Sequence, residues 1–366
     1  MDMETLLPLG KVDPGLRTPS EPLDIHKVAD QSKLVEEIGY SSVMTEETKD
    51  LTRGGRARKG VGKPPWIEGK TKRIEPVNGN INECEFVKII TKNSLTANDA
   101  AMREETPLGN DKTQQTISIF KFLKNNNIPT AFHSEHNILN IFVAKNCKML
   151  PLECVIRRQP YGSYIKRFPH KSSSDKFIPL KLEFFHKYAI VPPVEHCDNP
   201  HGLMPTTRMM PEERARELYM RDGEWTHTVY TDPVIEPDIH KWYLYSAKDV
   251  RIKSDPIFDI LPLVDDDTLT YIKEKLMIPC FELLEKAWKK FNVNLIDIKI
   301  EVGYTNENKL VIADVIDNDS WRIWPHGDPK RQLDKQSFRD GEDMSDVEKK
   351  YKIVTEYVRK FNEVSS

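Results

Sequence analysis

Near the C-terminal end of the chain, Ile296, Ile298, Ile300 and Val302 alternate with Leu295, Asp297, Lys299 and Glu301. A period of two is the pattern of a strand that buries one face, so the aliphatic residues point to a core and the other face carries Asp297, Lys299 and Glu301 in a row. An Asn-rich stretch over 303–309 reads as a turn, and Leu310-Val-Ile-Ala313 returns as a second strand ending at Asp314. Such a hairpin predicts Glu301 beside Asp314. Two carboxylates there suit Mg²⁺, which takes oxygen ligands from one or two carboxylates and keeps waters and phosphate oxygens. A charged hairpin face is ordinarily just solvated, but here the chain continues as Asp317-Asn-Asp319-Ser-Trp-Arg322-Ile-Trp-Pro325. Acid, amide, hydroxyl and guanidinium groups crowd beside two tryptophans in a loop, the kind of segment in which binding groups gather on a rigid scaffold.

The 366 residues, 38% of them hydrophobic, suffice for two lobes with a substantial core. With 54 basic and 57 acidic side chains the net charge is −3, so no overall field selects nucleic acid or an anionic membrane. Cys84, Cys147, Cys154, Cys197 and Cys280 are scattered and lack C-x-x-C spacing. They predict free thiols in a reducing compartment rather than a disulfide framework or a zinc site. No run approaches the roughly 18 apolar residues of a membrane span and the N-terminus has no apolar leader, so a cytoplasmic protein is expected.

Residues 1–62 read as an N-terminal extension with a basic, Gly/Pro-rich linker over 53–65. Residues 63–150 read as a small β-rich lobe, with a hairpin formed by 67–74 and 85–90, a helix over 111–125 stopped by Asn-Asn-Asn-Ile-Pro129, and strands near 138–143 and 150–158. A larger α/β lobe over 151–366 contains an expected insertion around 170–228, a long amphipathic helix over 266–291 and a terminal helix over 343–362.

Two motifs offer phosphate chemistry. In Glu68-Gly-Lys-Thr-Lys72, read as part of the first strand, the glycine admits a phosphate to the backbone and two lysines two residues apart share a face. A surface hairpin with lysines is the plainer reading of that motif alone. In Met149-Leu-Pro-Leu-Glu-Cys-Val-Ile-Arg157-Arg158-Gln-Pro-Tyr-Gly162-Ser163, an apolar strand runs into two arginines and a Gly-Ser turn. Guanidinium, hydroxyl and backbone N–H groups together suit a phosphate monoester, although strand arginines paired with neighbouring acids fit equally well.

With Leu95-Thr-Ala-Asn-Asp-Ala-Ala101, the 297–303 and 313–324 runs and Asp334-Lys-Gln-Ser-Phe-Arg339, these motifs occur in an order that resembles the phosphoribosylaminoimidazole-succinocarboxamide synthase (SAICAR synthetase) family over roughly residues 66–340. The 314–322 run is similar to the animal-type branch, without the carboxylase domain fused there. The resemblance implies a two-lobed α+β fold, with the small lobe folded over ATP. It implies nucleotide binding by Gly69, Lys70, Thr71, Lys72, Met149, Glu301 and Asp314, with Glu301 and Asp314 as Mg²⁺ ligands. Asp99, Arg157, Ser163 and Arg322 would bind the substrate, and Lys299, Asp319 and Arg322 would serve catalysis, Asp319 being the candidate base. The implied substrates are ATP, L-aspartate and 5-aminoimidazole-4-carboxylate ribotide (CAIR), with Mg²⁺; neither nucleic acid nor membrane is a partner, and a homo-oligomer is compatible with the sequence. Tyr161 before Gly-Ser, Val302 after the glutamate, and Asn98-Asp99-Ala100 depart from the family pattern. A kinase-like phosphotransferase acting on a small phosphorylated metabolite, or a non-catalytic binding module, are the alternatives.

Because every motif follows Trp66 and the linker is too polar to complete a core, a chain starting near Gly62 is expected to fold and turn over like the full-length protein. Thermal melting and turnover of the two chains test this, and a drop of several degrees or lost activity would make the extension structural.

Overall fold

The 13-residue strand Val293–Thr305 organises the computed structural model. The structure describes residues 66–97, 102–191, 208–236, 241–243, 245–247, 250–251 and 264–363; the extension and linker read over 1–62, and Asp99, lie outside them. The first half of the strand pairs with Leu152–Arg157 on one side and Trp321–Pro325 on the other. Its second half pairs with Cys147–Met149 and Leu310–Ala313. Beyond Leu152–Arg157 the sheet continues through Lys181–His186 and Val234–Glu236 to Lys241–Tyr243, an eight-stranded antiparallel array.

The pairing shifts register between Leu295 and Asp297. A bulge inserts one residue and so reverses which side chains face inward. As a result Val293 and Leu295 join the same core as Ile298, Ile300 and Val302. The simple alternation, which put Leu295 on the face of Asp297, is corrected accordingly.

The small lobe is a five-stranded sheet in the order Ile67–Glu68, Lys72–Pro76, Phe86–Thr91, Ile141–Lys145, Phe132–Glu135. The expected hairpin is present as Lys72–Pro76 against Phe86–Thr91. The phosphate motif, however, is a turn and not mid-strand: Ile67 faces Ile74, Glu68 faces Arg73, and the Gly69 N–H donates to the Lys72 carbonyl at 2.9 Å. Closing a hairpin after two residues puts 69–71 in the turn, so Lys70 stands in the turn and Lys72 opens the return strand. The lobe's sheet ends at Lys145, because Cys147–Met149 pairs with the long strand instead.

Helix Gly109–Asn125 covers this sheet and ends where Asn127 takes a φ of 61°, the left-handed conformation that terminates helices and that asparagine tolerates. It packs on the terminal helix Met344–Phe361, where Gln115 Nε2 donates to the Tyr351 carbonyl and to Thr355 Oγ1, both at 3.0 Å. Both sheets and these helices share one core, from Val87 and Phe142 to Trp288, Ile300 and Phe361. The helix expected over 266–291 is interrupted by a π turn at Ile272–Met277 before Ile278–Lys289 resumes. Pro279 has no N–H to give and its ring crowds the preceding turn, which the wider turn relieves.

The expected insertion over 170–228 is also corrected. Lys181–His186 lies inside the main sheet, between Leu152–Arg157 and Val234–Glu236, and supplies Glu183, which is 2% exposed. Arg157 Nε donates to Glu183 at 2.7 Å and its Nη1 to Asp297 at 2.7 Å, Arg322 Nη1 donates to Asp297 at 2.6 Å, and Arg167 pairs with Glu183. Removing Glu183 from this buried alternation takes a carboxylate from two guanidiniums at once, and breaking a buried pair from one side costs roughly 3–5 kcal/mol. Glu183→Ala is expected to destabilise the protein by that amount in urea unfolding. Glu285→Ala, which breaks the half-exposed Arg158 pair, is expected to cost about 1 kcal/mol or less. Equal costs would show that burial does not set the strength of these pairs.

Candidate active site

Asp314 follows directly on Leu310–Ala313 and adopts a φ of 61°, a left-handed backbone that a short polar side chain tolerates and that gathers at functional sites. Its carboxylate meets Lys72 from the small sheet, so one ion pair joins the phosphate turn to the long strand's hairpin. Glu301 lies opposite Ala313. It accepts from Lys299 Nζ at 2.8 Å and contacts Lys187. Burial opposes its ionisation, but Lys299 and Lys187 outweigh burial and hold its carboxyl at about 2. Burial likewise opposes the charge on Lys299, and Glu301, Glu153 and Asp314 together hold its ammonium above the ordinary range. Lys299 thus stands among the carboxylates that the sequence predicted to converge. Among the described residues no group of three or more His, Cys, Asp or Glu side chains forms a metal cluster. Glu301 and Asp314 nevertheless fit Mg²⁺ as a pair of carboxylate oxygen donors, with lysine ammoniums facing both.

Met149, 39% exposed, lies opposite Gly303. A Cβ at Gly303 would stand 3.0 Å from Met149 Sδ and from the Lys148 carbonyl, so a glycine is needed for this approach of the two strands.

At the other end of the long strand, Gly162 has a φ of 58°, and a Cβ there would meet Arg322 Nη2 at 2.5 Å. The glycine therefore lets Arg322 lie against the Gly162-Ser163 turn, with its guanidinium 5.2 Å from the Tyr161 ring. Arg322 Nε is buried with no hydrogen-bond partner. The structure sets Arg322 against Gly162, the residue before Ser163, whereas Arg157, expected on the phosphate, is 3% exposed and committed to Glu183 and Asp297. Its place is behind Arg322, fixing the carboxylate on which Arg322 rests.

Asp319 is the junction of a third group. Its Oδ2 accepts from Lys112 Nζ at 2.9 Å and Lys335 Nζ at 3.0 Å, and its Oδ1 from the Tyr351 hydroxyl at 2.6 Å. Burial pushes this carboxyl up, but Lys112 and Lys335 overcome burial and hold it well below the usual range. A carboxylate with two ammoniums and a hydroxyl already on it is a poor proton acceptor, so the role of base does not suit Asp319. Asp317, two residues earlier, accepts the Asp319 N–H at 2.8 Å. Burial and then the Asp319 charge push its carboxyl up to about 6.

Lys187, Lys112, Lys335, Tyr351 and Asp317 were missed as site residues. Lys112 had a signal: it shares a helical stripe with Gln115, Thr116, Ile119 and Leu123, all buried, where a lysine needs a counter-charge. Lys187 follows the strand that the sequence assigned to an insertion.

The SAICAR synthetase family model matches residues 65–191 and 216–358. The chain belongs to the SAICAR synthetase family. The break in that match, 192–215, is narrower than the expected insertion. The phosphoribosylaminoimidazole-succinocarboxamide synthase of Chloroflexus aggregans is 32% identical over 304 residues, which are 81% of this chain and 96% of that protein. The probable multifunctional protein ADE2 of Caenorhabditis elegans is 32% identical over 282 residues, 76% of this chain but 53% of that protein, so the chain spans about half of this relative. A SAICAR synthetase solved in complex with ADP has the same fold, with a TM-score of 0.53 at 22% identity over 80% of this chain and 97% of that one.

A carboxyl whose folded pKa is raised binds its proton more tightly folded than unfolded. It adds stability below its unfolded value and loses it as pH climbs. For Asp317 that window runs from the ordinary aspartate value of 3.8 to about 6. Asp317→Asn, which carries no charge, is expected to melt a few degrees above the parent near pH 7.5, with the gap closing as pH falls through this window. A gap independent of pH would refute the raised carboxyl.

Proposed function

We propose that the chain uses ATP to join L-aspartate to CAIR, giving SAICAR, ADP and phosphate, as a cytoplasmic ligase of purine biosynthesis. The observation that supports this reading is that two separate groups of cations paired with carboxylates lie along one strand. The Lys72–Asp314 and Lys299–Glu301 group lies at residue 301, and Arg322 rests on Asp297. Four residues of strand set them about 13 Å apart, room for the phosphates of two different substrates. The names of the Chloroflexus relative and of the ADP complex support the same reading, and no helix among the described residues is long and apolar enough to cross a membrane.

The turn with Gly69, Lys70, Thr71 and Lys72 would take the nucleotide phosphates, and Met149 would lie against the base. Glu301 and Asp314 would hold Mg²⁺, whose charge offsets that of the transferring phosphate. Ser163 and Arg322 would seat the ribotide phosphate, with Asp99 contributing to substrate binding. The CAIR carboxylate takes the γ-phosphoryl group, releasing ADP; the aspartate amine then attacks the acyl carbon, the C–N bond forms, and phosphate leaves with the C–O bond. The chain's part is to hold the two substrates in line and to offset anionic charge with Lys70, Lys72, Lys299 and Arg322. Asp319 serves as a fixed anion.

ADP release is expected to require both L-aspartate and CAIR. Omitting each in turn from a coupled assay tests this, and equal turnover without aspartate would replace the ligase with the kinase-like phosphotransferase.

A further inference from the structure

Lys112 is 1% exposed, in the first turn of the helix Gly109–Asn125. A buried ammonium is costly unless paired, and this one has two hydrogen-bond acceptors, Asp319 Oδ2 at 2.9 Å and the Ser94 carbonyl at 3.3 Å. Tyr351, 0% exposed, reaches the same carboxylate from the terminal helix. Lys335 approaches from a loop beside Arg339 and Arg322, with its side chain 10% exposed and Asp319 as its hydrogen-bond partner. One carboxylate therefore receives two lysines, Lys112 with its side chain 1% exposed and Lys335 with its side chain 10% exposed.

We propose that Lys112 is a positioning residue for the ligation: with Tyr351 it ties the Asp319 carboxylate down from inside, so that Lys335 keeps N–H groups for an anionic group of the ribotide. This rests on the ligase reading above. An ammonium has three N–H groups, and Asp319 takes one from Lys335. If Lys112 is removed, Asp319 Oδ2 has Lys335 as its remaining cation, and the attraction draws Lys335 toward the carboxylate and away from the substrate. Lys112 touches neither substrate in this account. Its influence passes through Asp319 to Lys335, and the nucleotide end, held by Lys72, Lys187 and Lys299, is outside that path.

Lys112→Met keeps the length and the buried methylenes while removing the charge, and Tyr351→Phe keeps the ring while removing the hydroxyl. Wild-type ADP release with CAIR and L-aspartate is measured first; its absence would overturn the ligase reading and this inference with it. Given that activity, Lys112→Met is expected to raise the KM for CAIR about tenfold or more while the KM for ATP stays within about twofold. Tyr351→Phe is expected to raise the KM for CAIR a fewfold, and the double variant less than the product of the two single effects, because both act on one carboxylate. A merely structural role would lower kcat through the fraction of folded enzyme and leave KM alone. Unchanged KM for CAIR in Lys112→Met would overturn the proposal with the ligase reading intact. If Lys112→Met does not fold, an unchanged KM in Tyr351→Phe would overturn it and the expected rise would sustain it.

Discussion

Asp297 accepts from two guanidiniums at once, Arg157 at 2.7 Å and Arg322 at 2.6 Å, and these belong to the strands on either side of its own. Taking charges out of water is tolerable only where opposite charges and hydrogen bonds replace the solvent, so the three strands are locked in a common register by this contact. Glu183 extends the lock to a fourth strand and, through Arg167, to the short helix Ser163–Arg167 behind the Gly-Ser turn. Arg322 stands at the outer end of this run of pairs, where its side chain is 18% exposed. The arrangement that holds the sheet together thus also leaves a cation at the cleft.

The same logic separates two carboxyls of one loop. Asp317 and Asp319 are both buried. Asp319 gathers Lys112, Lys335 and Tyr351 and stays ionised. Asp317 lies in the shadow of that anion, and burial with the neighbouring charge pushes its proton affinity up to about 6. Nothing intrinsic to the two side chains differs; the direction of each shift follows from which partners reach it.

The period-two run over 295–302, the hairpin returning at Asp314, the helix ending in three asparagines and the long amphipathic segment were legible because each expresses a local rule of side-chain spacing. The convergence of Glu301 and Asp314 on Lys299 followed from the hairpin. The failures share a different origin. The turn at 69–71, the bulge at 295–297 and the interior placement of Lys181–His186 are decided by which strands pair, and one strand's pattern is silent on its neighbours. For the same reason Arg157 and Arg322 were given one role: the sequence placed Arg157 at a strand end and Arg322 in a loop, whereas Arg322 lies in the strand Trp321–Pro325, and the position of Glu183 is what commits Arg157 to the interior.

The bulge between Leu295 and Asp297 carries a consequence for how such a chain can diverge. Side chains before it and after it face the core with opposite parity, so the strand behaves as two phases joined at a fault. Point substitutions change what a face carries without moving the fault. Loss of the one extra residue there would heal the fault and leave Val293 and Leu295 in ordinary alternation with Ile298, Ile300 and Val302, whereas loss or gain of a residue elsewhere in the strand would turn one segment's charged side chains toward the core. The fault is therefore the point at which this strand can change length by one residue and keep both of its faces.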